Sequence, residues 1–183
     1  MKSHAYKFYE TLEEITADID WDIVDKMAKG IADCRALYII GLGGSAANAS
    51  HMAADFRKLC HIDARSLDNM AEVTARANDE GWPTIFDGFL QDIQGDDILF
   101  VLSVGGGTEK VSLPIMRAID IAKSADARVF GVVGPQGGYA AEKGFVVKGP
   151  AHDNPTPFTE AFQAVIWHCL VSDPILQKMP TKW

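Results

Sequence analysis

The segment from Ala36 to Leu59 constrains the fold of this chain more than any other. It begins with an apolar run from Leu37 to Ile40, whose length and β-branched residues predict a buried strand. Glycines follow at positions 41, 43 and 44, and after them come Ser45 and an alanine-rich stretch with helical spacing. Glycines let a ligand approach the backbone closely, and a helix N-terminus presents free N–H groups to an anion. The segment therefore predicts a strand, a turn and a helix that together bind an anion.

Two ionisable side chains lie further along this predicted helix. His51 and Asp55 are four residues apart, so they share one face of the helix. A lone histidine among Ala49, Met52 and Ala53 is more often a buried core residue than a ligand. The carboxylate one turn away and the neighbouring anion turn favour a role in an active site instead.

Composition limits the class of protein. A chain of 183 residues suits one domain with a substantial core. The net charge of −8, with no basic cluster, argues against binding to nucleic acid or to an anionic membrane surface. Cys34, Cys60 and Cys169 lack metal-ligand spacing and fit buried thiols in a reducing compartment. The N-terminus has no apolar core of signal-peptide length, and no run approaches ~18 apolar residues, so we expect a cytoplasmic protein.

Strands and helices alternate along the chain. Further strands are predicted at 62–67, 98–102, 128–133 and 145–147. Helices are predicted at 4–16, 23–32, 68–77 (capped by Asp68), 83–90, 110–124 and 159–171, with a loop over 149–157. The run from Ile98 to Leu102 has no polar residue, which is typical of a parallel strand covered on both faces. The pattern predicts an α/β fold with a five-stranded, mostly parallel sheet, in which the N-terminal helices (1–34) either pack on the core or cover a subunit interface.

A second loop rich in glycine and hydroxyl groups runs from Ser103 to Thr108, directly after a predicted strand. In a parallel sheet both loops lie at the carboxyl edge, where ligands bind, and together they suit the phosphate of a small metabolite. Two alternatives remain open. The glycines could serve only tight turns. The pattern Gly41, Gly43, Ala46 also matches a loosened dinucleotide fingerprint, although no acidic residue stands at the end of the second strand.

Three motifs of this chain occur together in one known family. They are Gly41-x-Gly43-Gly44-Ser45 with His51 downstream, Ser103-x-Gly-Gly-Gly-Thr108, and a closing helix with Glu160, Gln163 and His168. Together they resemble the sugar isomerase (SIS) domain and, more narrowly, the phosphoheptose isomerases. The resemblance covers about residues 37–171. It implies a three-layer α/β sandwich of the SIS type, which is flavodoxin-like, as well as homotetramers with active sites built between subunits.

The resemblance also implies a reaction. Sedoheptulose 7-phosphate would be converted to D-glycero-D-manno-heptose 7-phosphate through an enediol, with Asp55 as base and His168 as the catalytic histidine. One zinc ion per subunit is implied, with the ligands His51, Asp55, Glu160 and His168. The implied substrate-binding positions are Gly43, Gly44, Ser45, Asp79, Ser103, Gly105, Gly106, Thr108 and Glu160. General chemistry agrees, because an enediol needs a base and an acid beside two adjacent carbons, and imidazoles with carboxylates are common zinc ligands.

The chain departs from the family pattern at several positions. Val104 and Gly105 stand where the usual loop has threonine and serine, and Leu42 replaces an asparagine. Asp55 is one methylene shorter than the family's glutamate, and Glu160 stands where a glutamine is usual. Two other functions therefore stay open. One is a non-catalytic SIS tetramer that binds a protein such as the bacterial replication initiator, and the other is a module that only binds a sugar phosphate.

Overall fold

The computed structural model describes residues 2–17, 19–149 and 155–180, apart from the side chain of Ile15. Its strands are β1 (Leu37–Gly41), β2 (Ala64–Ser66), β3 (Ile98–Ser103), β4 (Arg128–Val133) and β5 (Phe145–Lys148). Its helices are α1 (His4–Ala17), α2 (Trp21–Ala32), α3 (Gly44–Asp55), α4 (Met70–Asp79), α5 (Leu113–Ser124), α6 (Gly138–Lys143) and α7 (Pro155–Ser172). A π-helical turn (Phe56–Cys60) continues α3, and a 3-10 turn covers Trp82–Thr84.

The five strands form one sheet in the order β2-β1-β3-β4-β5, and every neighbouring pair is parallel. Strands β3 and β4 pair over their whole length, from Ile98 opposite Arg128 to Ser103 opposite Val133. The order is that of flavodoxin-like folds. The predicted α/β fold with a five-stranded parallel sheet is therefore confirmed.

The sheet separates two apolar cores. Successive side chains of β1 and β3 point to opposite faces, so Leu37 and Phe100 join one core while Tyr38 and Leu99 join the other. Helices α2, α3 and α7 cover the first face, and α5, α6 and the segment 85–93 cover the second. Both strands are buried along their whole length, which explains why their sequences are continuously apolar. The result is the expected three-layer sandwich.

Helix α7 supplies much of the first core. Phe162, Ile166 and Leu170 lie on its buried side, one or two turns apart. Near its start, the Phe158 ring stacks on the Phe8 ring of α1, with centroids 4.5 Å apart, so α7 also packs against the N-terminal helix. Within the described ranges, no helix is both long enough and apolar enough to cross a membrane.

The helix predicted over 68–77 is present as α4, but its predicted cap was wrong, and so was the helix predicted over 83–90. Asn69, not Asp68, caps α4, because its side chain accepts hydrogen bonds from the N–H groups of the next turn, 3.1 and 3.4 Å away. The helix predicted over 83–90 is a 3-10 turn followed by irregular turns. Long-range contacts fix these turns: Gly88 lies against the Arg76 guanidinium where a Cβ would overlap it, and Asp87 pairs with Arg117 of α5.

Other predicted boundaries differ from the observed ones in both directions. Helix α5 begins at Leu113 rather than at residue 110, since Thr108 and Val111 close a turn and Ser112 has a positive φ of 66°. Helix α6 was not predicted. Helix α7 starts at Pro155, inside the loop expected over 149–157, of which residues 150–154 lie outside the described ranges.

Candidate active site

The strand order creates a crevice at the carboxyl ends of β1 and β3, where the chain leaves the sheet toward opposite sides. The two predicted loops meet here, and with the first turns of α7 they enclose a cavity of about 430 Å³. Its lining residues are Leu42, Ser45, Ser103, Val104, Gly105, Thr108, Val111, Ser112 and Glu160. The described residues of the lining include no lysine or arginine. An anion in this cavity would therefore depend on backbone N–H groups and hydroxyls.

Two serine hydroxyls of the cavity are arranged as donors. Ser45 Oγ accepts a hydrogen bond from Gln163 Nε2 at 3.0 Å, and Ser103 Oγ accepts one from the Gly106 N–H at 3.1 Å. A hydroxyl carries one proton besides its acceptor lone pairs. Among the described residues neither hydroxyl donates a hydrogen bond, so Ser45 and Ser103 can each donate a proton to a ligand.

Thr108 differs from these serines. Its Oγ1 donates to the Val111 carbonyl at 3.0 Å and accepts from the Val111 N–H at 3.1 Å. Both functions of the hydroxyl are thus used inside its own turn. Thr108 lines the cavity, but its hydroxyl has no free proton for a phosphate in this arrangement.

A polar chain joins the starts of α3 and α7. Gln163 is fully buried, donates to Ser45, and accepts a hydrogen bond from Asn48 Nδ2 at 2.8 Å. The same Asn48 amide donates to the backbone carbonyl of Glu160 at 3.0 Å. Gln163 therefore both fixes the Ser45 hydroxyl and ties the two helices together. From the sequence its role stayed open between the site and a buried contact.

The loop after β3 is held by backbone contacts. Gly106 and Gly107 have φ angles of 67° and 88°, which favour glycine. Their carbonyls accept hydrogen bonds from the N–H groups of Ala140 and Tyr139, at 2.9 and 3.0 Å. A Cβ on Gly106 would overlap the Gly137 carbonyl, whereas one on Gly105 would meet open space. The segment that begins α6 thus shapes the loop without lining the cavity.

The face of α3 that carries His51 and Asp55 meets α7 beside His168. Asp55 Oδ2 lies 3.4 Å from His51 Nε2 and 3.6 Å from His168 Nε2. One ligand atom from each residue lies within 4.8 Å of the other two, so the three could hold a metal ion. The imidazoles are about half exposed and the Asp55 side chain is 19% exposed, so a substrate can reach the group from solvent.

The tautomer of His168 follows from its second partner. Nδ1 lies 2.8 Å from the Ala164 carbonyl, which can only accept, so Nδ1 carries a proton. In the neutral ring Nε2 then presents its lone pair to Asp55. A metal ion bound between this lone pair and the carboxylate would interact favourably with both, and two nitrogens with one carboxylate oxygen form a donor set typical of zinc. The residues present therefore fit a three-ligand metal site.

Trp167 belongs to this group, although in the sequence it suggested only packing. It is 2% exposed, and its Nε1 donates to Asp55 Oδ2 at 3.4 Å. Its ring lies against both imidazoles, with centroid distances of 5.4 Å to His51 and 4.8 Å to His168. The indole thus packs against all three side chains that surround the candidate metal position.

Several expected site residues take other positions: Gly43, Gly44 and Gly106 border the two loops without lining the cavity, and Glu160 lines the cavity but is not part of the metal-capable group. Glu160 is absent from the metal-capable group, since its half-buried carboxylate lies against Gly44 at the start of α3. Eight residues of helix separate it from His168, which corresponds to ~12 Å. Asp79 is exposed at the end of α4, accepts a hydrogen bond from Asn78 at 2.7 Å, and does not line the cavity.

The cysteines take no part in this site. Burial raises the pKa of Cys34 and of Cys60 to about 11, so both thiols stay protonated near neutral pH. Cys60 is buried and Cys34 half-buried, as expected, but Cys169 is exposed on α7. Partial burial raises the pKa of Cys169 as well. None of the three is an activated nucleophile.

The sheet order and the cavity at the β1–β3 crevice define a domain of the sugar isomerase type. The chain superposes on the structure of a phosphoheptose isomerase from Francisella tularensis with a TM-score of 0.83 at 22% identity, covering 96% of this chain and 98% of that one. A phosphoheptose isomerase of Mycobacterium tuberculosis is 30% identical over 139 residues, or 72% of this chain and 69% of the relative. One of Aneurinibacillus thermoaerophilus is 27% identical over 184 residues, or 93% and 89%. No family model matches the chain. The chain belongs to the phosphoheptose isomerase family.

Proposed function

We propose that the chain is a phosphosugar isomerase that interconverts sedoheptulose 7-phosphate and D-glycero-D-manno-heptose 7-phosphate. The observation that carries the proposal is Asp55 held between the imidazoles of His51 and His168, on the helix whose first turn lines the cavity. A carboxylate and an imidazole are the base and the acid that an enediol reaction requires. The curated relatives carry the name of this enzyme, and they supply the substrate class.

In the proposed reaction Asp55 removes a proton from C1 of the ketose while His168 donates one to the oxygen on C2. The product of this step is the enediol. Asp55 then returns its proton to C2, and His168 recovers a proton from the hydroxyl on C1, which leaves the aldose. One hydrogen has moved and both residues regain their first protonation states. Since Nδ1 of His168 is bound to Ala164, Nε2 is the nitrogen that exchanges protons.

Zinc is the second part of the proposal, with one ion per chain held by His51, Asp55 and His168. A zinc ion supplies a Lewis acid that polarises the substrate carbonyl. Proton donation from His168 Nε2 and metal binding by the same atom exclude one another. The metal content of the active protein therefore decides which of the two roles His168 takes.

The phosphate is proposed to bind in the cavity, where Ser45 and Ser103 turn their protons to the ligand. Gly105 supports this assignment, because no described atom outside its own chain neighbours lies within 4 Å of the position that its Cβ would take. A phosphate can therefore approach the Gly105 backbone closely. Backbone N–H groups of such loops bind anions without a basic side chain. They could replace the hydroxyl that Thr108 uses within its own turn.

The activity is tested by following sedoheptulose 7-phosphate turnover before and after chelation and zinc addition. Asp55→Asn keeps the shape of the side chain but removes the base, so we expect a loss of at least ~100-fold. Asp92→Asn, at an exposed residue before β3 and thus at the opposite edge of the sheet, makes the same change away from the site and should keep full activity. Turnover that survives Asp55→Asn, or no turnover by the parent chain with or without zinc, contradicts the proposal. Phosphate binding without turnover would define a binding module instead.

We further propose that residues 1–183 form one SIS domain that assembles into homotetramers, with α1 and α2 at an interface. Tyr6 and Tyr9 are 51% and 72% exposed along α1, and they border a surface groove of about 510 Å³ with Leu12. Light scattering on the purified chain tests this, and Tyr9→Ser should shift a tetramer toward smaller species. The three free cysteines support a cytoplasmic location.

A further inference from the structure

The Glu160 carboxylate lies beside the first residue of α3, next to the turn where the sequence predicts a bound anion. The Glu160 carboxylate lies against Gly44, and its two oxygens are 2.5 and 2.6 Å from the position that a Cβ on Gly44 would take. Gly44 is the first residue of α3, and the N-cap residue Gly43 contributes no side-chain cap. The positive end of the helix dipole stabilises a carboxylate at this position. Glu160 therefore acts on the same end of α3 that a phosphate would use.

The position of Glu160 is fixed from its backbone. Asn48 Nδ2 donates to the Glu160 carbonyl at 3.0 Å and to Gln163 Oε1 at 2.8 Å, so one side chain of α3 binds two residues of α7. The carboxylate extends from this fixed backbone position, and Glu160 is half-buried. It can turn about its own side-chain bonds while the two helices stay joined.

The charge of the cavity lining determines how the Glu160 carboxylate affects phosphate binding. Among the described residues, Glu160 is the one ionisable residue that lines the cavity, and the other polar side chains of the lining are the hydroxyls of Ser45, Ser103, Thr108 and Ser112. A phosphate beside an ionised carboxylate is repelled, and no basic lining residue offsets that repulsion. Sugar hydroxyls, in contrast, can donate hydrogen bonds to the carboxylate.

We propose that Glu160 is a specificity-determining residue that competes with phosphate for the start of α3 and thereby selects phosphorylated sugars over free phosphate. A sugar phosphate displaces the carboxylate from Gly44 and offsets the repulsion by donating its hydroxyls to Glu160. Inorganic phosphate lacks these hydroxyls and meets the repulsion alone. The inference rests on the proposed function only in taking the cavity as the phosphate site.

Calorimetry with two ligands, inorganic phosphate and sedoheptulose 7-phosphate, tests the proposal. Glu160→Gln keeps the side-chain shape and removes the charge, so it should bind inorganic phosphate roughly tenfold more tightly than the parent chain. The affinity for the sugar phosphate should rise less, so that the preference for the sugar phosphate falls. Asp92→Asn, at an exposed residue before β3 and thus at the opposite edge of the sheet, changes the net charge equally and should leave both affinities unchanged.

Equal or weaker phosphate binding by Glu160→Gln overturns the inference. So does an absence of phosphate binding in both proteins, which would also remove the phosphate assignment of the cavity. Tighter phosphate binding without turnover in any sample supports the inference while the proposed isomerase activity fails. Thermal unfolding of each variant checks its fold, and Glu160→Ala, which also removes the charge, serves as the second variant.

Discussion

Trp167 Nε1 donates a hydrogen bond to the Asp55 carboxylate across 3.4 Å, from a ring that is almost fully buried. The bond joins α7 to α3 and reaches the oxygen that faces both imidazoles. A carboxylate that must act as a base, or as a metal ligand, works best when a second partner fixes its orientation. Trp167 is therefore a positioning residue for Asp55.

Trp167→Phe should lower kcat several-fold and leave KM almost unchanged, because the ring still fills the core but the N–H donor is lost. Trp21→Phe at the exposed start of α2 is the matched control and should keep parent kinetics. Steady-state kinetics with sedoheptulose 7-phosphate measure both variants. An unchanged kcat in Trp167→Phe would show that the 3.4 Å contact does not position the base.

Gln163→Met should raise KM by about tenfold with a small effect on kcat, since Ser45 would lose the donor that directs its proton to the cavity. Ser45→Ala should have a similar effect on KM. If the two residues act through one hydrogen bond, the double variant should be no worse than the poorer single variant. Independent, additive effects of the two substitutions would refute this link.

Gly106→Ala should raise KM strongly and lower the melting temperature, because its Cβ would overlap the Gly137 carbonyl and its φ is 67°. Gly105→Ala is the natural comparison, since the neighbouring position has open space for a Cβ. It should keep the melting temperature of the parent chain. Thermal unfolding of the two variants measures the stability of the loop, and their kinetics measure its effect on substrate binding. Equal destabilisation by both variants would contradict the conclusion that the segment beginning α6 shapes the loop after β3.

The sequence was most informative where local pattern and tertiary structure agree. Strand β4 was predicted with the observed bounds of 128 and 133, because its apolar run ends at a glycine and proline turn. The sequence likewise predicted the glycine turn before α3 and the shared face of His51 and Asp55, because both depend on residues close together in the chain.

Features that depend on residues far apart in the chain could not be predicted from local sequence patterns. Helix α6 has six residues, starts with glycine, and is held by hydrogen bonds to Gly106 and Gly107 that no local pattern reveals. The Trp167–Asp55 bond joins residues 112 positions apart. The place of Glu160 beside Gly44 also depends on how α7 docks on α3, and spacing along one helix does not encode that.

Whether His51, Asp55 and His168 form a working isomerase site is decided by measuring zinc per chain and turnover in the same samples. The parent chain should hold about one zinc and convert sedoheptulose 7-phosphate, as expected of a catalytic three-ligand site. His51→Ala and His168→Ala should lose the metal and the turnover together, whereas His61→Ala, outside the group, should keep both. Full turnover in His51→Ala and His168→Ala, or a parent chain with neither zinc nor turnover, would contradict the account.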